Sequence, residues 1–116
     1  MKIQDLLRKD LMILDLQAIS KEVAIDEMIT RLVEKGIVHD FDVFKKSIMT
    51  REEQTSTGLG DGIAMPHSKN IVVDKPAVLF AKSNKGVDYK SLDGQPTDLF
   101  FMIAAPQLSL IHISEP

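Results

Sequence analysis

The run Leu99-Phe-Phe-Met-Ile-Ala-Ala105, closed by Pro106, gives the clearest structural signal in this 116-residue chain. Seven consecutive apolar residues that end at a proline are typical of a strand buried in a sheet. Ala77-Val-Leu-Phe-Ala81 is a second run of the same kind. Two turn signals, Ser83–Gly86 and Asp93-Gly94, separate the two runs. The second half of the chain therefore predicts a small sheet.

The first half of the chain predicts helices. After a short apolar run consistent with a strand, Leu11–Leu16, we expect a first helix from Ser20 to Gly36, because glycine readily adopts the left-handed conformation that ends a helix. Asp40 is a suitable N-cap for a second helix that ends near Arg51. The expected inward residues are Val23, Ala24, Met28, Ile29, Leu32 and Val33 in the first helix and Phe41, Phe44, Ile48 and Met49 in the second. Together these elements indicate an α/β or α+β fold, of which we predict α/β: a small mixed β-sheet flanked by helices.

The composition limits the possible functions. An apolar fraction of 44% and a charged fraction of 27% suit a globular protein of one domain. The net charge of −3 argues against nucleic acid as a partner. The chain has no cysteine, which excludes disulfides, thiol catalysis and cysteine metal sites. Since no apolar run approaches the ~20 residues of a membrane span and no signal-peptide pattern is present, we expect a cytoplasmic protein with no direct membrane insertion.

The run Arg51-Glu-Glu-Gln-Thr-Ser-Thr-Gly-Leu-Gly-Asp-Gly-Ile-Ala-Met-Pro-His67 carries the candidate chemistry. Closely spaced glycines allow sharp bends, and the N–H groups of such a loop can bind an anion. A neutral imidazole is a nucleophile near neutral pH. We therefore interpret His67 as a nucleophile that meets a phosphoryl group, and Arg51 as its bidentate clamp. The predicted phosphate-binding loop comprises Thr55, Ser56, Thr57, Gly58, Gly60 and Gly62.

Several alternatives compete with this interpretation. No histidine pair stands at ligand spacing, so we predict no metal site. The glycines lack the spacing of nucleotide-binding loops, and the Gly-x-Ser-x-Gly pattern of serine hydrolases is absent. We expect His39 to be a surface residue, and we assign no role to His112. Arg51 could instead pair at the surface with a carboxylate, and His67 could be a plain turn residue. The carboxylates within reach of Arg51 in sequence are Glu52, Glu53 and Asp61.

Three segments, Arg51–His67, Gly86–Pro96 and Leu99–Pro106, resemble the fructose/mannitol-type IIA domain of the bacterial phosphoenolpyruvate-dependent sugar phosphotransferase system. The similarity is greatest to the fructose-specific branch and covers roughly residues 1–106. That family continues with a second active-site histidine and further helices. The resemblance therefore implies an incomplete domain whose last helices are missing, with residues 107–116 outside the family pattern and foreign to the domain.

The resemblance also implies a function. His67 would accept a phosphoryl group from the phosphohistidine of the carrier HPr and pass it to a IIB domain, while the membrane IIC domain imports the sugar, which is fructose in this branch. Arg51 matches the arginine that stabilises the phosphoryl group, and no metal or other cofactor is implied. The alternative is a regulatory module that is phosphorylated on His67 but acts by binding other proteins.

Overall fold

The computed structural model describes residues 7–54, 58–91 and 93–107. A mixed sheet is flanked by two helices, which confirms the predicted α/β fold. The elements, in chain order, are β1 (Leu7–Ile13), α1 (Lys21–Glu34), α2 (Phe41–Gln54), β2 (Gly58–Gly60), β3 (Ile63–Ala64), β4 (His67–Asn70), β5 (Ala77–Val87) and β6 (Thr97–Pro106).

Strand β6 organises the sheet. It pairs with β5 in antiparallel orientation, and β5 in turn pairs with β1 in parallel orientation. On its other side β6 pairs in parallel orientation with both β3 and β4, placing Ile63 opposite Leu99 and His67 opposite Ile103. The same register continues from β3 to β4, so these strands form one line along β6 that is interrupted at Met65-Pro66. His67 is thus the first residue of an edge strand.

The main core lies between the helices and one face of the sheet. Alternate residues of the two long strands point to this face and are fully buried, among them Leu79, Phe100 and Met102. The buried side chains of α1 pack there with Phe44 and Ile48 of α2. The opposite face of β6 carries half-buried apolar residues. On that face the rings of Phe80 and Phe101 lie 5.4 Å apart.

The predicted helices are confirmed in place, with corrections to their buried faces. Gly36 has φ +74° just after α1, as a helix-ending glycine should. Oδ1 of Asp40 accepts the N–H of Val43 at 3.1 Å, which confirms the N-cap. Val23 and Val33 are 53% and 37% exposed rather than buried. The buried face of α1 instead consists of Ala24, Ile25, Met28, Ile29 and Leu32.

The second helix also departs from the prediction. It runs to Gln54, three residues past Arg51, and its inward stripe consists of Phe44, Ile48 and Glu52. The expected inward residues Phe41 and Met49 are only partly buried.

The predicted turn at Ser83–Gly86 is wrong, because these residues lie within β5. Gly86 has φ +83° and donates its N–H to Oγ of Ser83 at 2.9 Å, and the pairing register with β6 shifts between Lys82 and Val87. The glycine thus marks an irregularity in a long strand. The first strand spans Leu7–Ile13 rather than Leu11–Leu16. The turn at Asp93-Gly94 is confirmed, with Oδ1 of Asp93 accepting the N–H of Gln95 at 3.0 Å.

Candidate functional site

The glycine-rich run forms a β2–β3 hairpin that leads directly into β4. Its turn has three consecutive residues with positive φ: Gly60 (+93°), Asp61 (+55°) and Gly62 (+79°). The carbonyl of Gly62 accepts the N–H groups of Asp98 and Leu99, both at 2.9 Å. These bonds tie the turn to the start of β6.

Two carboxylates lie against this turn. A Cβ atom on Gly62 would stand 2.5 Å from Oδ1 of Asp98, and one on Gly60 would stand 3.2 Å from Oδ2 of Asp93. The same Oδ2 accepts the N–H of Asp61 at 3.1 Å. Hydrogen bonds from the backbone N–H groups of Gln95 and Asp61 lower the pKa of Asp93. Glycine is therefore required at positions 60 and 62 because the carboxylates approach the backbone closely and because φ is positive there, independently of any bound anion.

The predicted phosphate-binding loop stays a prediction. Residues 55–57 lie outside the described residues, so the structure does not place the hydroxyls of Thr55, Ser56 and Thr57. Gly58 stands opposite Ala64 in the hairpin, on the side that continues toward His67. Gly60 and Gly62 form the far end of the hairpin, beside two carboxylates that would repel a phosphate.

The side chain of His67 is exposed, and one of its ring nitrogens is already engaged. Nδ1 lies 2.9 Å from the carbonyl oxygen of Met65. A carbonyl only accepts hydrogen bonds, so Nδ1 carries the proton and, in the neutral ring, Nε2 keeps its lone pair. The preceding Pro66 is buried, and its carbonyl accepts the N–H of Ile103 at 2.9 Å. The backbone at the start of β4 thereby orients the imidazole with Nε2 as the available nucleophile.

A hydrogen bond between two serine hydroxyls joins α2 to β4. Ser68, next to His67, is 3% exposed and bonds to Ser47 of the helix. Arg51 follows Ser47 by four residues and so lies on the same side of α2, one turn nearer its C-terminus. The packing of α2 therefore brings Arg51 to the strand that begins with His67, and the arginine side chain is exposed there.

Arg51 lines an open groove of about 430 Å³ between α2 and the end of β4. Among the described residues, its walls hold two cations, Arg51 and Lys46, and no carboxylate. The other lining residues are Val43, Ser47, Thr50, Gln54 and Asn70. His67 lies three residues before Asn70 and is not part of the lining. In the described part of the chain, no hydrogen bond joins Arg51 to His67 and Arg51 forms no ion pair. Of its suggested surface partners, Glu52 is bound to Lys21 instead.

The other histidines are not part of the groove or of the glycine hairpin in the described residues. Nε2 of His39 contacts Oδ2 of Asp74 at 2.5 Å, and both side chains are more than half exposed, which confirms a surface position. His112 lies outside the described residues. Within 7–54, 58–91 and 93–107, no three histidine, aspartate or glutamate side chains are grouped as a metal site. Across the same ranges, no helix has the length and apolar character that crossing a membrane would require.

Sequence reasoning missed two residues that shape the site. The sequence predicts Asp93 only as part of a turn, yet its carboxylate accepts the N–H of Asp61 in the glycine turn. Glu52 was considered only as a surface partner, yet it is 6% exposed. The spacing of Glu52, four residues after Ile48 and eight after Phe44, was a signal for its inward orientation.

Comparison with known proteins agrees with the resemblance. A family model described as "Phosphoenolpyruvate-dependent sugar phosphotransferase system, EIIA 2" matches residues 5–114. The fructose-specific EIIABC component of Bacillus subtilis is 50% identical over 107 residues, covering 92% of this chain and 17% of that protein. A nitrogen regulatory protein of Bradyrhizobium diazoefficiens is 34% identical over 107 residues, covering 92% of this chain and 69% of the relative. The chain spans 17%, 56% and 64% of three fructose-type relatives.

Solved structures share the fold. The nitrogen regulatory protein IIA-Ntr of Neisseria meningitidis superposes with a TM-score of 0.82 at 25% identity, covering 96% of this chain and 75% of that structure. The mannitol IIA enzyme of Escherichia coli, solved in complex with phosphorylated mannitol IIB, gives a TM-score of 0.76 at 28% identity. The match covers 92% of this chain and 75% of that structure. Because the family match extends over nearly the whole chain and includes both Arg51 and His67, this chain belongs to the EIIA 2 family of the phosphoenolpyruvate-dependent sugar phosphotransferase system.

Proposed function

We propose that this chain is a phosphoryl carrier that accepts a phosphoryl group from phosphorylated HPr on His67 and passes it to a IIB domain during sugar uptake. The observation that carries the proposal is the hydrogen bond from Nδ1 of His67 to the carbonyl of Met65. It leaves an exposed, unprotonated Nε2 as the nucleophile.

The transfer step balances without an added acid or base. The Nε2 lone pair of His67 attacks phosphorus in line, and the bond from phosphorus to the donor histidine breaks, returning its electron pair to the donor ring. The donor ring reacts with its other nitrogen protonated, so it leaves as a neutral imidazole. Nδ1 of His67 keeps its proton. The carbonyl of Met65 then stabilises the positive charge that the ring acquires, because its oxygen points at that proton. The reverse arrangement serves transfer to the next acceptor.

Arg51 is proposed to bind the equatorial oxygens of the phosphoryl group. Its guanidinium is exposed, is not engaged by a described carboxylate, and stands on the helix that packs against β4. Lys46 adds a second positive charge in the same groove. Catalysis of phosphoryl transfer consists mainly of such positioning and charge stabilisation. The phosphate-binding role of Thr55, Ser56, Thr57 and Gly58 is proposed with it. For Gly60 and Gly62 that role stays a prediction, which the neighbouring carboxylates of Asp93 and Asp98 disfavour.

Fructose is the proposed sugar, on the strength of the 50% identity to a fructose-specific component. The IIB acceptor is proposed because the mannitol IIA relative is solved with phosphorylated mannitol IIB. The membrane IIC domain would be an indirect partner, and the proposed location is the cytoplasm. No metal or other cofactor and no nucleic acid enters the proposal. The domain boundary at residue 106 stays a prediction, and the family match reaches residue 114.

A regulatory role is the second candidate. It is supported by the nitrogen regulatory relatives, one of them 34% identical across 92% of this chain and one with a TM-score of 0.82. In that role His67 would be phosphorylated as described, and the phosphorylation state would control binding to other proteins. The two functions differ in whether a IIB domain removes the phosphoryl group.

The test is intact-mass analysis after incubation with phosphoenolpyruvate, enzyme I and HPr. We expect an acid-labile gain of one phosphate that His67→Ala abolishes and His39→Ala, a matched exposed histidine, leaves unchanged. Heteronuclear NMR should place the phosphorus on Nε2. Addition of a fructose-type IIB domain should discharge the carrier, whereas a pure regulator would keep its phosphate. No gain in a sample that circular dichroism shows to be folded would rule out both roles.

A further inference from the structure

We propose that Glu52 is a positioning residue for phosphoryl transfer: through a buried ion pair with Lys21 it fixes the last turn of α2, and with it the direction of Arg51. This inference rests on the proposed role of Arg51 in binding the phosphoryl group. Glu52 is not among the residues that line the groove, so its effect is transmitted through its neighbour Arg51.

The glutamate of the ion pair is buried and the lysine is half-buried. Nζ of Lys21 lies 2.8 Å from Oε1 of Glu52, and their side chains are 16% and 2% exposed. Among the residues that the structure describes, Glu52 is the one charged residue in the buried class. A carboxylate in such a place needs a partner, because an unpaired buried charge is strongly unfavourable. Lys21 is the first residue of α1, so the pair links the start of one helix to the end of the other.

An aromatic residue fixes the lysine from a second side. Nζ of Lys21 lies 4.7 Å from the centre of the Tyr89 ring, a cation–π distance. Tyr89 is fully buried and packs edge-on against Phe100 of β6, with ring centres 5.4 Å apart. The ammonium is therefore held by a carboxylate and by a ring that is itself locked into the core. Glu52 is attached through this chain of contacts to the centre of the sheet.

The position of Glu52 on α2 explains what the pair controls. Phe44, Ile48 and Glu52 are the three buried residues of the helix, spaced at intervals of four. Apolar side chains anchor the first two turns, and the carboxylate occupies the place where a third apolar anchor would ordinarily lie. Because successive residues on a helix are about 100° apart, an inward Glu52 directs Arg51 to the side that carries Ser47 and the groove. Release of Glu52 would allow the last turn to rotate or fray, and Arg51 would lose that direction.

Stability alone does not account for a charged pair here. Replacing a buried ion pair with apolar residues of similar volume is often neutral or stabilising. What the pair adds is a directional, charge-assisted contact that defines one orientation of the helix end. This distinction gives the inference a test, since a purely structural role and a positioning role respond differently when Arg51 is absent.

The test is a double-mutant cycle on phosphorylation of His67 by phosphorylated HPr, measured in single turnover at saturating and subsaturating donor. In the full chain, Glu52→Gln should slow the saturated rate by about tenfold to hundredfold, the range expected for a misplaced catalytic group. The donor concentration for half-maximal rate should change little. In an Arg51→Ala background the same substitution should have no further effect on the rate. Glu53→Gln, an exposed neighbour on the helix, is the matched control and should leave the rate unchanged.

A second variant covers the case in which Glu52→Gln does not fold. Lys21→Met combined with Glu52→Leu replaces the pair with apolar residues, and we expect it to fold with slow transfer. Equal slowing by Glu52→Gln with and without Arg51 would overturn the inference. A normal transfer rate in Glu52→Gln, or in the combined Lys21→Met and Glu52→Leu variant, would also overturn it. Both outcomes would leave the carrier function intact. A normal transfer rate for Arg51→Ala would overturn the inference as well, because the inference assumes that Arg51 binds the phosphoryl group. Failure of the unsubstituted chain to accept phosphate would instead contradict the proposed function.

Discussion

Substitution of Gly62 by alanine should destabilise the protein more than any other glycine-to-alanine change at a comparable backbone angle. Gly62 has φ +79°, and a Cβ there would lie 2.5 Å from Oδ1 of Asp98. Gly36 has nearly the same angle, φ +74°, but a Cβ there would meet nothing within 4 Å. Both substitutions incur the left-handed penalty of about 1–2 kcal/mol. Only Gly62→Ala adds a steric overlap, which we expect to cost a further ~1–3 kcal/mol.

The two contributions are separable by experiment. Urea denaturation of both variants gives the free energy of unfolding, and the difference between them isolates the contact with Asp98. In an Asp98→Ala background the extra loss at Gly62 should disappear, while the backbone penalty remains. Equal destabilisation by Gly62→Ala and Gly36→Ala would refute this account of the glycine turn. Persistence of the extra loss without the Asp98 side chain would refute its attribution to that carboxylate.

Three further predictions follow from individual contacts. Phe44→Ala should cost about 3–5 kcal/mol in unfolding free energy, because it empties a fully buried aromatic site under α2; Val43→Ala, partly exposed on the same helix, is the control. Ser68→Ala should cost about 1 kcal/mol, since it removes the hydrogen bond to Ser47 that joins α2 to β4; denaturation with and without Ser47→Ala should show non-additivity. The pKa of Asp93 is lowered in the folded protein. Its contribution to the free energy of unfolding is therefore fully present above the unfolded carboxyl pKa of about 3.9, and it is lost as pH falls through the lower folded pKa. Asp93→Asn should flatten that part of the acid-unfolding curve, and an unchanged curve would contradict the role of this carboxylate.

Patterns in the sequence predicted elements well where one physical signal dominated. The apolar runs at 77–81 and 99–105 became the central antiparallel pair, and Asp40 and Gly36 mark a helix start and a helix end as expected. The prediction failed where two signals competed. Ser83–Gly86 has the composition of a turn, but the long pairing of β5 with β6 continues through it with a local irregularity. Tertiary pairing overrode the local preference.

The site was predictable in its chemistry and less so in its geometry. A histidine beside a proline and near an arginine indicated phosphoryl chemistry. The tautomer of His67, however, depends on a hydrogen bond to the backbone carbonyl of Met65. Every residue carries such a carbonyl. Nothing in the sequence indicates which one will accept a hydrogen bond. The inward orientation of Glu52 was equally hidden, because charged residues are rarely buried unless a partner from elsewhere in the chain meets them. Here that partner, Lys21, is thirty-one positions earlier.

The run from Arg51 to His67 is continuous in sequence, but its residues serve separate physical purposes. Glu52 is buried in an ion pair, Gly60 and Gly62 form a turn against Asp93 and Asp98, and His67 is exposed at the start of an edge strand. If every member of the run acted by touching phosphate, each substitution would reduce transfer in a fully stable protein. The structure predicts a division instead. Changes at the two glycines should lower the free energy of unfolding in proportion to their overlap with the carboxylates, whereas changes at Arg51 and His67 should reduce transfer at nearly unchanged stability, because both side chains are exposed.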